Sequence, residues 1–587
     1  MCGIAGVFSP AGRITPEDVA AVGRMTAALL HRGPDDAGFF SDTHIALGHR
    51  RLSIIDLSAA GRQPLGNEDA TVQVVCNGEI YNYRELTREL VACGHRFLSL
   101  SDTEVIVHGY EQWGMDGLLR RLRGMFAFVL YDARAAVCYA VRDRIGIKAL
   151  YYALFADGRC AFASEVKALP PGELDAEAVQ GFLLLGAVPH PLTWRKNIRC
   201  LEPGSYAGIT DRGFHIARYW SAGDAVRDHG ADVLTTAIRQ HLISDAPLGV
   251  FLSSGVDSIG LVALAQREGV RVRTLTVVFD EAKYNEDTSG IARHFGTEHT
   301  EIRVTADDFL AELPHFLSVM DQPTADGLNT FFVSRAARAA GLKTVLSGLG
   351  GDEVFRGYRH YRWLEKYGPW LRAFGRLPLT ARRALAGVVT GSGSWSRLRG
   401  LADATNASLY MTMRGFFSPR VVERLTGRRI EKTAEDARPF GDAGAFQLHE
   451  MNRYLHDQLL RDADVFGMAW SLEIRVPYLD HEVVEWAITA PDSRHIRPGV
   501  NKPVLVDTIH DDLVLAAARR PKTGFVFPLE QWMRRNSDEL RERAMQADYL
   551  DRKEIGKLWA AFEAGRMNAA RAWALVVTGS KRNGEGG

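Results

Sequence analysis

The chain has 587 residues, 71 Lys and Arg against 71 Asp and Glu, and 46% apolar residues. That length exceeds a single hydrophobic core and predicts two or three domains. The balanced charge provides no global field for nucleic acid or an anionic membrane, and no apolar run is long enough to span a bilayer. No basic-then-apolar segment opens the chain, and none of the six cysteines forms a C-x-x-C pair. That spacing argues against a structural zinc site, and sparse cysteines in a large chain lead us to expect a reducing, cytoplasmic setting.

The first 165 residues read as short strands and turns. Apolar runs at Ala46 to Ile55, Val72 to Asn77, Met125 to Tyr131, Val137 to Asp143 and Leu150 to Phe155 predict stacked antiparallel sheets. Polar clusters interrupt them. His31-Arg32-Gly33-Pro34-Asp35 is a turn by its Gly-Pro, and His49 to Asp56 carries arginines at the head of an apolar run. Asn77-Gly78-Glu79-Ile80-Tyr81-Asn82 is a strand end running into an Asn-Gly turn. Met1 precedes a small residue, so its removal is expected. Cys2 would then hold a thiol and an α-amino base, with a pKa of about 7.7–8.0, in one residue.

These clusters, together with Met1-Cys2-Gly3-Ile4 and Ser101-Asp102-Thr103-Glu104, resemble the class II glutamine amidotransferase domain. The resemblance implies an α+β N-terminal-nucleophile fold, an αββα sandwich over residues 2–165. It also implies that Cys2 attacks the side-chain amide of glutamine, with the Asn77 side chain and the Gly78 N–H stabilising the oxyanion. Arg51 would grip the α-carboxylate with its fork. Glu79 and Asp102 would offer negative charge to the α-amino group, and Leu52 and Ile55 would complete the glutamine pocket. Asp143 to Lys148 and Ala163 to Ala168 match the family as scaffold and interface segments.

Residues 166–230 read as an inter-domain connection. Pro170-Pro171-Gly172, Pro189, Pro191 and Leu201-Glu202-Pro203-Gly204 punctuate it, with one apolar helix near Ala176 to Leu185.

From residue 231 to 587, strand-like runs first alternate with helical periodicity, the pattern of a parallel α/β sheet. The part after Phe355 reads as mostly helical. Val250-Phe251-Leu252 is short enough for a buried strand; it breaks into Ser253-Ser254-Gly255 and opens an apolar helix at Val256-Asp257-Ser258. Such a junction is either an anion site, where free helical N–H groups meet phosphate, or an ordinary polar turn. Asp257 would repel phosphate unless a divalent cation lay between them. No Lys follows the glycine, so this is not a Walker A loop. Thr274 to Phe279 is a second strand, and Phe331 to Ala340 a helix. Thr344-Val345-Leu346 then runs into Ser347-Gly348-Leu349-Gly350-Gly351-Asp352-Glu353, again ending in acid. Two such loops at strand carboxyl ends imply one Mg²⁺-nucleotide site held by Asp257 and Asp352.

The first loop resembles the S-G-G-L-D-S loop of ATP pyrophosphatases, with Ser254 in place of the first Gly. With Trp470 to Asp480 and Pro521-Lys522-Thr523-Gly524-Phe525, the chain over nearly its whole length is similar to glutamine-hydrolysing asparagine synthetases. That resemblance implies an ATP site of Leu252, Ser253, Ser254, Gly255, Val256, Asp257, Ser258, Val277, Ser347 and Gly348. It implies that Lys522 neutralises departing pyrophosphate, that ammonia travels through an internal channel, and that aspartate is the default acceptor. A homodimer is a further family expectation. One departure stands out. Many members read S-G-E-G-S-D-E where this chain has Leu349 in place of the acid. Leucine cannot take a proton. Either Asp321 or Asp326 compensates, or the acceptor is another carboxylate: a sugar acid, a peptide, or an intermediate of a specialised or polysaccharide biosynthetic pathway.

Overall fold

The computed structural model describes residues 2–10, 13–224, 229–281, 285–389, 401–430, 440–521 and 527–581. Its N-terminal strands are β1 (Gly3–Phe8), β2 (Asp36–Ser41), β3 (Ile45–Arg51), β4 (Leu65–Gly66), β5 (Val72–Ile80) and β6 (Gly124–Asp132). They continue with β7 (Val137–Arg142), β8 (Tyr151–Leu154), β9 (Cys160–Ala163), β10 (Ile198–Cys200), β11 (Ser205–Thr210) and β12 (Gly213–Arg218). Among the described residues these form two six-stranded antiparallel sheets, ordered β10-β8-β9-β1-β3-β2 and β12-β11-β7-β6-β5-β4. The predicted strand from Ala46 to Ile55 ends at Arg51, and Leu52 to Ile55 leave the sheet.

Strand alternation puts Ile4, Phe8, Ile45 and Leu47 of one sheet against Val75, Ala127 and Val129 of the other. The outer faces are apolar too, so each needs a helical cover. Helix α1 (Pro16–Ala28), opened by a Thr15 capping box and a proline in its first turn, lays Val22 and Met25 on Ala5 and Val7. Helices α2 (Tyr83–Ala92) and α3 (Glu104–Arg121) cover the second sheet through Leu86, Leu90, Ile106 and Leu118. The result is the expected αββα sandwich.

The stretch expected as a connection is more than a linker. Strand β10 pairs with β8, and β11 pairs with β7, so residues 198–218 extend both N-terminal sheets. Helix α4 (Ala176–Leu185) instead packs Val179, Phe182 and Leu183 into a core with Phe417 and Val422. Sequence separation hid this, because the pairing partners lie far back along the chain.

A parallel sheet follows: β13 (Leu248–Phe251), β14 (Arg273–Phe279), β15 (Glu298–Val304), β16 (Thr344–Leu346) and β17 (Glu473–Arg475), ordered β15-β14-β13-β16-β17. Helices fill the rest, the helix Leu328–Ala339 among them. No described helix is long and apolar enough to cross a membrane.

The two halves meet through buried charge. Arg32 is fully buried. Its Nε donates to the Cys2 carbonyl (3.1 Å), Nη1 to Glu165 (2.8 Å) and Nη2 to Asp464 of the helix Arg461–Met468 (2.9 Å). Ser471 donates to the His31 carbonyl, and Asp321 accepts the Val166 and Lys167 N–H groups at 2.9 Å each. Replacing Asp464 with leucine leaves the Arg32 guanidinium short of a buried partner. We expect a loss of about 3–5 kcal/mol, seen as a lower Tm by calorimetry. Removing the exposed Arg24–Glu17 pair should leave Tm unchanged.

Candidate active sites

The first site lies between the two antiparallel sheets. Cys2 sits at the head of β1, and its backbone nitrogen donates to Asn77 Oδ1 of β5 at 2.9 Å. That bond consumes the Asn77 oxygen. Asn77 Nδ2 is buried with no hydrogen-bond partner, so a donor remains aimed into the site. Gly78 has φ +150°, and a Cβ there would lie 2.0 Å from the Met125 carbonyl, so only glycine lets β5 and β6 approach. Burial pushes the Cys2 thiol up, against the Leu52 backbone and the Arg51 charge, so the resting group is a neutral thiol.

Arg51 ends β3, and the register opposing Gly3 and Arg50 brings it beside Cys2. Its guanidinium is held by the carbonyls of Ser58 (2.7 Å) and Asp56. Leu52 and Ile55 are buried in the loop that follows. Glu79 is buried; one oxygen lies 3.4 Å from Arg475 Nη2, and the other has no hydrogen-bond partner. Burial, then Glu473 and Asp102, push the Glu79 carboxyl well up. Asp102 accepts the Ile80 N–H at 2.6 Å, and burial raises it to about 6. Two carboxyls with a shortage of positive charge are what a substrate ammonium would satisfy.

The second site lies at the carboxyl ends of β13 and β16. A cavity of about 310 Å³ is lined by Leu252, Ser253, Asp257, Ser258, Val277, Ser347, Gly348 and Leu349, with Asn329 and Thr330 from the helix Leu328–Ala339. Ser254, Gly255 and Val256 form the loop and the start of the helix Val256–Arg267 but do not line this cavity. The Ser254 N–H donates to Glu286 at 2.5 Å, so a carboxylate already occupies one of the loop donors. The two loops touch: a Cβ on Gly348 would lie 2.6 Å from the Asp257 Cβ.

Asp257 and Asp352 converge on Lys502. Its Nζ is 2.6 Å from Asp257 Oδ1 and 2.7 Å from Asp352 Oδ1. Burial alone would depress this ammonium, but the two carboxylates overcome that and hold its pKa at about 12. Two carboxylates at strand ends suit a hard divalent cation, and Lys502 holds that place as a cation of the protein's own. Lys502 has φ +52° just before the helix Pro503–Ile509, and no spacing in the sequence signals it. Lys522 lies outside the described residues.

The compensating acids proposed for Leu349 do not line this cavity. Asp321 is spent on the Val166 and Lys167 backbone, and Asp326 lies near Tyr454 and Asp462. Arg475 lies within the Trp470 to Asp480 signature, which by itself assigns it no role. Its side chain reaches Glu79, Glu473 and the carbonyls of His241 (2.7 Å) and Ile243 (2.5 Å). Its own carbonyl accepts the Ser347 N–H at 2.8 Å. One residue therefore touches both sites.

Residues 1–220 match a family described as a glutamine amidotransferase domain, and residues 229–580 match one described as asparagine synthase. Three proteins of Bacillus subtilis (strain 168) are similar to this chain. Asparagine synthetase [glutamine-hydrolyzing] 1 is 32% identical, over 94% of this chain and 91% of its own length. Asparagine synthetase [glutamine-hydrolyzing] 3 is 28% identical, over 95% and 93%. Asparagine synthetase [glutamine-hydrolyzing] 2 is 29% identical, over 90% and 72%.

Replacing Lys502 with methionine should destabilise the nucleotide-free protein by about 1.5–3 kcal/mol, the range for hydrogen bonds to charged groups. Thermal denaturation should show the loss, and millimolar Mg²⁺ should recover part of it.

Proposed function

This chain belongs to the family of glutamine-hydrolysing asparagine synthetases, and from that premise we propose which residues act and on what acceptor. Enzymes of this type use glutamine and ATP. Cys2, freed of Met1, is the nucleophile on the glutamine side-chain amide. Its thiol stays protonated at rest because it is buried, so the α-amino group takes the proton as the sulfur attacks. Asn77 Nδ2 and the Gly78 N–H receive the developing oxyanion. The observation that carries this reading is the Asn77 side chain: one end fixes the Cys2 nitrogen, and the other is a buried donor with nothing to bond. Arg51 takes the α-carboxylate, and Glu79 with Asp102 takes the α-ammonium, while Leu52 and Ile55 wall the pocket.

At the second site ATP activates a carboxylate as an acyl-adenylate, and ammonia displaces AMP. Leu252, Val277, Ser347 and Gly348 hold the adenylate, and Ser253 to Ser258 cradle the pyrophosphate end. Mg²⁺ held by Asp257 and Asp352 would neutralise phosphate charge, with Lys502 beside it. Lys522 is assigned to the leaving pyrophosphate as a point charge.

Aspartate is the default acceptor. Leu349, an apolar residue in the cavity wall where the family resemblance implies an acid, favours a second reading: the same chemistry on another carboxylate. An acceptor screen decides between them. Purified protein is given glutamine, ATP and Mg²⁺ with and without aspartate, and pyrophosphate and asparagine are followed. Aspartate-dependent pyrophosphate matched by asparagine supports the default. Glutaminase activity with no aspartate-dependent pyrophosphate moves the acceptor to another carboxylate.

A further inference from the structure

A cluster of ligand-type side chains that neither site uses lies where the β4–β5 turn, the α2–α3 connection and α3 meet. One donor atom each from Glu68, His95 and His108 lies within 4.8 Å of the other two. Glu111, one turn after His108 on α3, places Oε2 3.5 Å from His108 Nδ1 and 3.9 Å from His95 Nδ1. His108 is only 1% exposed; Glu104 Oε1 lies 3.5 Å from its Nε2 as Glu111 does from its Nδ1, and neither ring nitrogen makes a well-formed hydrogen bond. A buried imidazole left in that state is unusual, because such groups are nearly always bonded.

The surrounding residues orient these donors. His95 Nε2 lies 3.2 Å from the Gln112 side-chain oxygen, which takes up Nε2 as a donor and turns Nδ1 toward the cluster. Asn67 donates to Glu111 Oε1 at 2.7 Å, which leaves Oε2 facing the imidazoles. Outer partners of this kind fix the tautomer and rotamer of metal ligands. Two imidazoles and two carboxylates suit a first-row transition metal better than Ca²⁺ or Mg²⁺, which take oxygen. Bond lengths of about 2.0–2.1 Å to the ion imply donor separations near 3.3 Å. The 3.5 and 3.9 Å separations need only small rotations, and Glu68 sits on an exposed turn that can close the fourth corner. The donor set contains no cysteine, so cysteine spacing carried no sign of it.

We propose that Glu68, His95, His108 and Glu111 bind a divalent transition metal of the Zn²⁺ class. The ion would tie the α2–α3 connection, the segment that ends in Asp102, to the sheet beneath it. A second cluster, His190, His456 and Asp457, makes a useful control. Arg142 and Arg461 line its small cavity and Arg453 lies 3.6 Å from Asp457, positive charge that opposes a dication.

The test is a Co²⁺ titration of the full-length protein after chelator treatment, read by the visible bands of four-coordinate Co²⁺. The expected result is one equivalent bound and displaced by Zn²⁺. Binding should weaken at least tenfold in Glu68→Gln and His95→Ala and stay unchanged in His190→Ala. Both sensitive positions lie outside the core, and Zn²⁺ should raise the Tm of the parent but not of Glu68→Gln. A titration without such bands, or equal binding in all three variants, overturns the proposal.

Discussion

The structure depends on two guanidinium groups buried where its halves meet. Arg32 joins the Cys2 carbonyl to Asp464, and Arg475 joins Glu79 to the end of the parallel sheet. A buried charge is costly unless every donor is met. Arg32 meets the demand with Glu165, Asp464 and a carbonyl; Arg475 meets most of it with Glu473 and two carbonyls, and its Nη2 faces Glu79 at 3.4 Å without a hydrogen bond. Separating the halves would take Asp464 and Glu79 from their buried guanidinium partners, while Arg32 would keep Glu165 and Arg475 would keep Glu473.

Position in the sheets follows from that seam. β17 is the edge strand beside β16, and its register sets Leu346 against Arg475. The Arg475 carbonyl then holds Ser347, the first residue of the second Gly-rich loop, while its side chain faces Glu79 of the first candidate site. A displacement of β17 would move a residue of each candidate site. Electrostatics differ between the sites. The Cys2 pocket carries surplus buried carboxyl, whereas Asp257 and Asp352 are matched by Lys502.

The sequence made the N-terminal site legible because its residues come in short contiguous clusters at strand ends: Cys2, Arg51, and Asn77 to Glu79. The parallel sheet was legible for a similar reason, since Ser253 to Ser258 and Ser347 to Glu353 each follow an apolar strand directly. What stayed hidden depends on distant partners. Lys502 follows no motif, and its meaning comes from two carboxylates more than a hundred residues away. Residues 198–218 read as a loop because Pro203 and three glycines punctuate short strands that pair backward. Asp321 looked like a spare acid near the acceptor side, but backbone N–H groups of the joint consume it. Glu68, His95, His108 and Glu111 come from three separate segments and share no spacing rule.

In the proposed function Cys2 supplies nitrogen to a second site that does its own chemistry. The direct measurement is a Cys2→Ala variant, with its acceptor and ATP, given either glutamine or ammonium. The expected outcome is no glutamine hydrolysis, no glutamine-supported product, and ammonium-supported pyrophosphate and product at near the parent rate. Loss of the ammonium-supported reaction as well, in a variant whose Tm and circular dichroism match the parent, would contradict it.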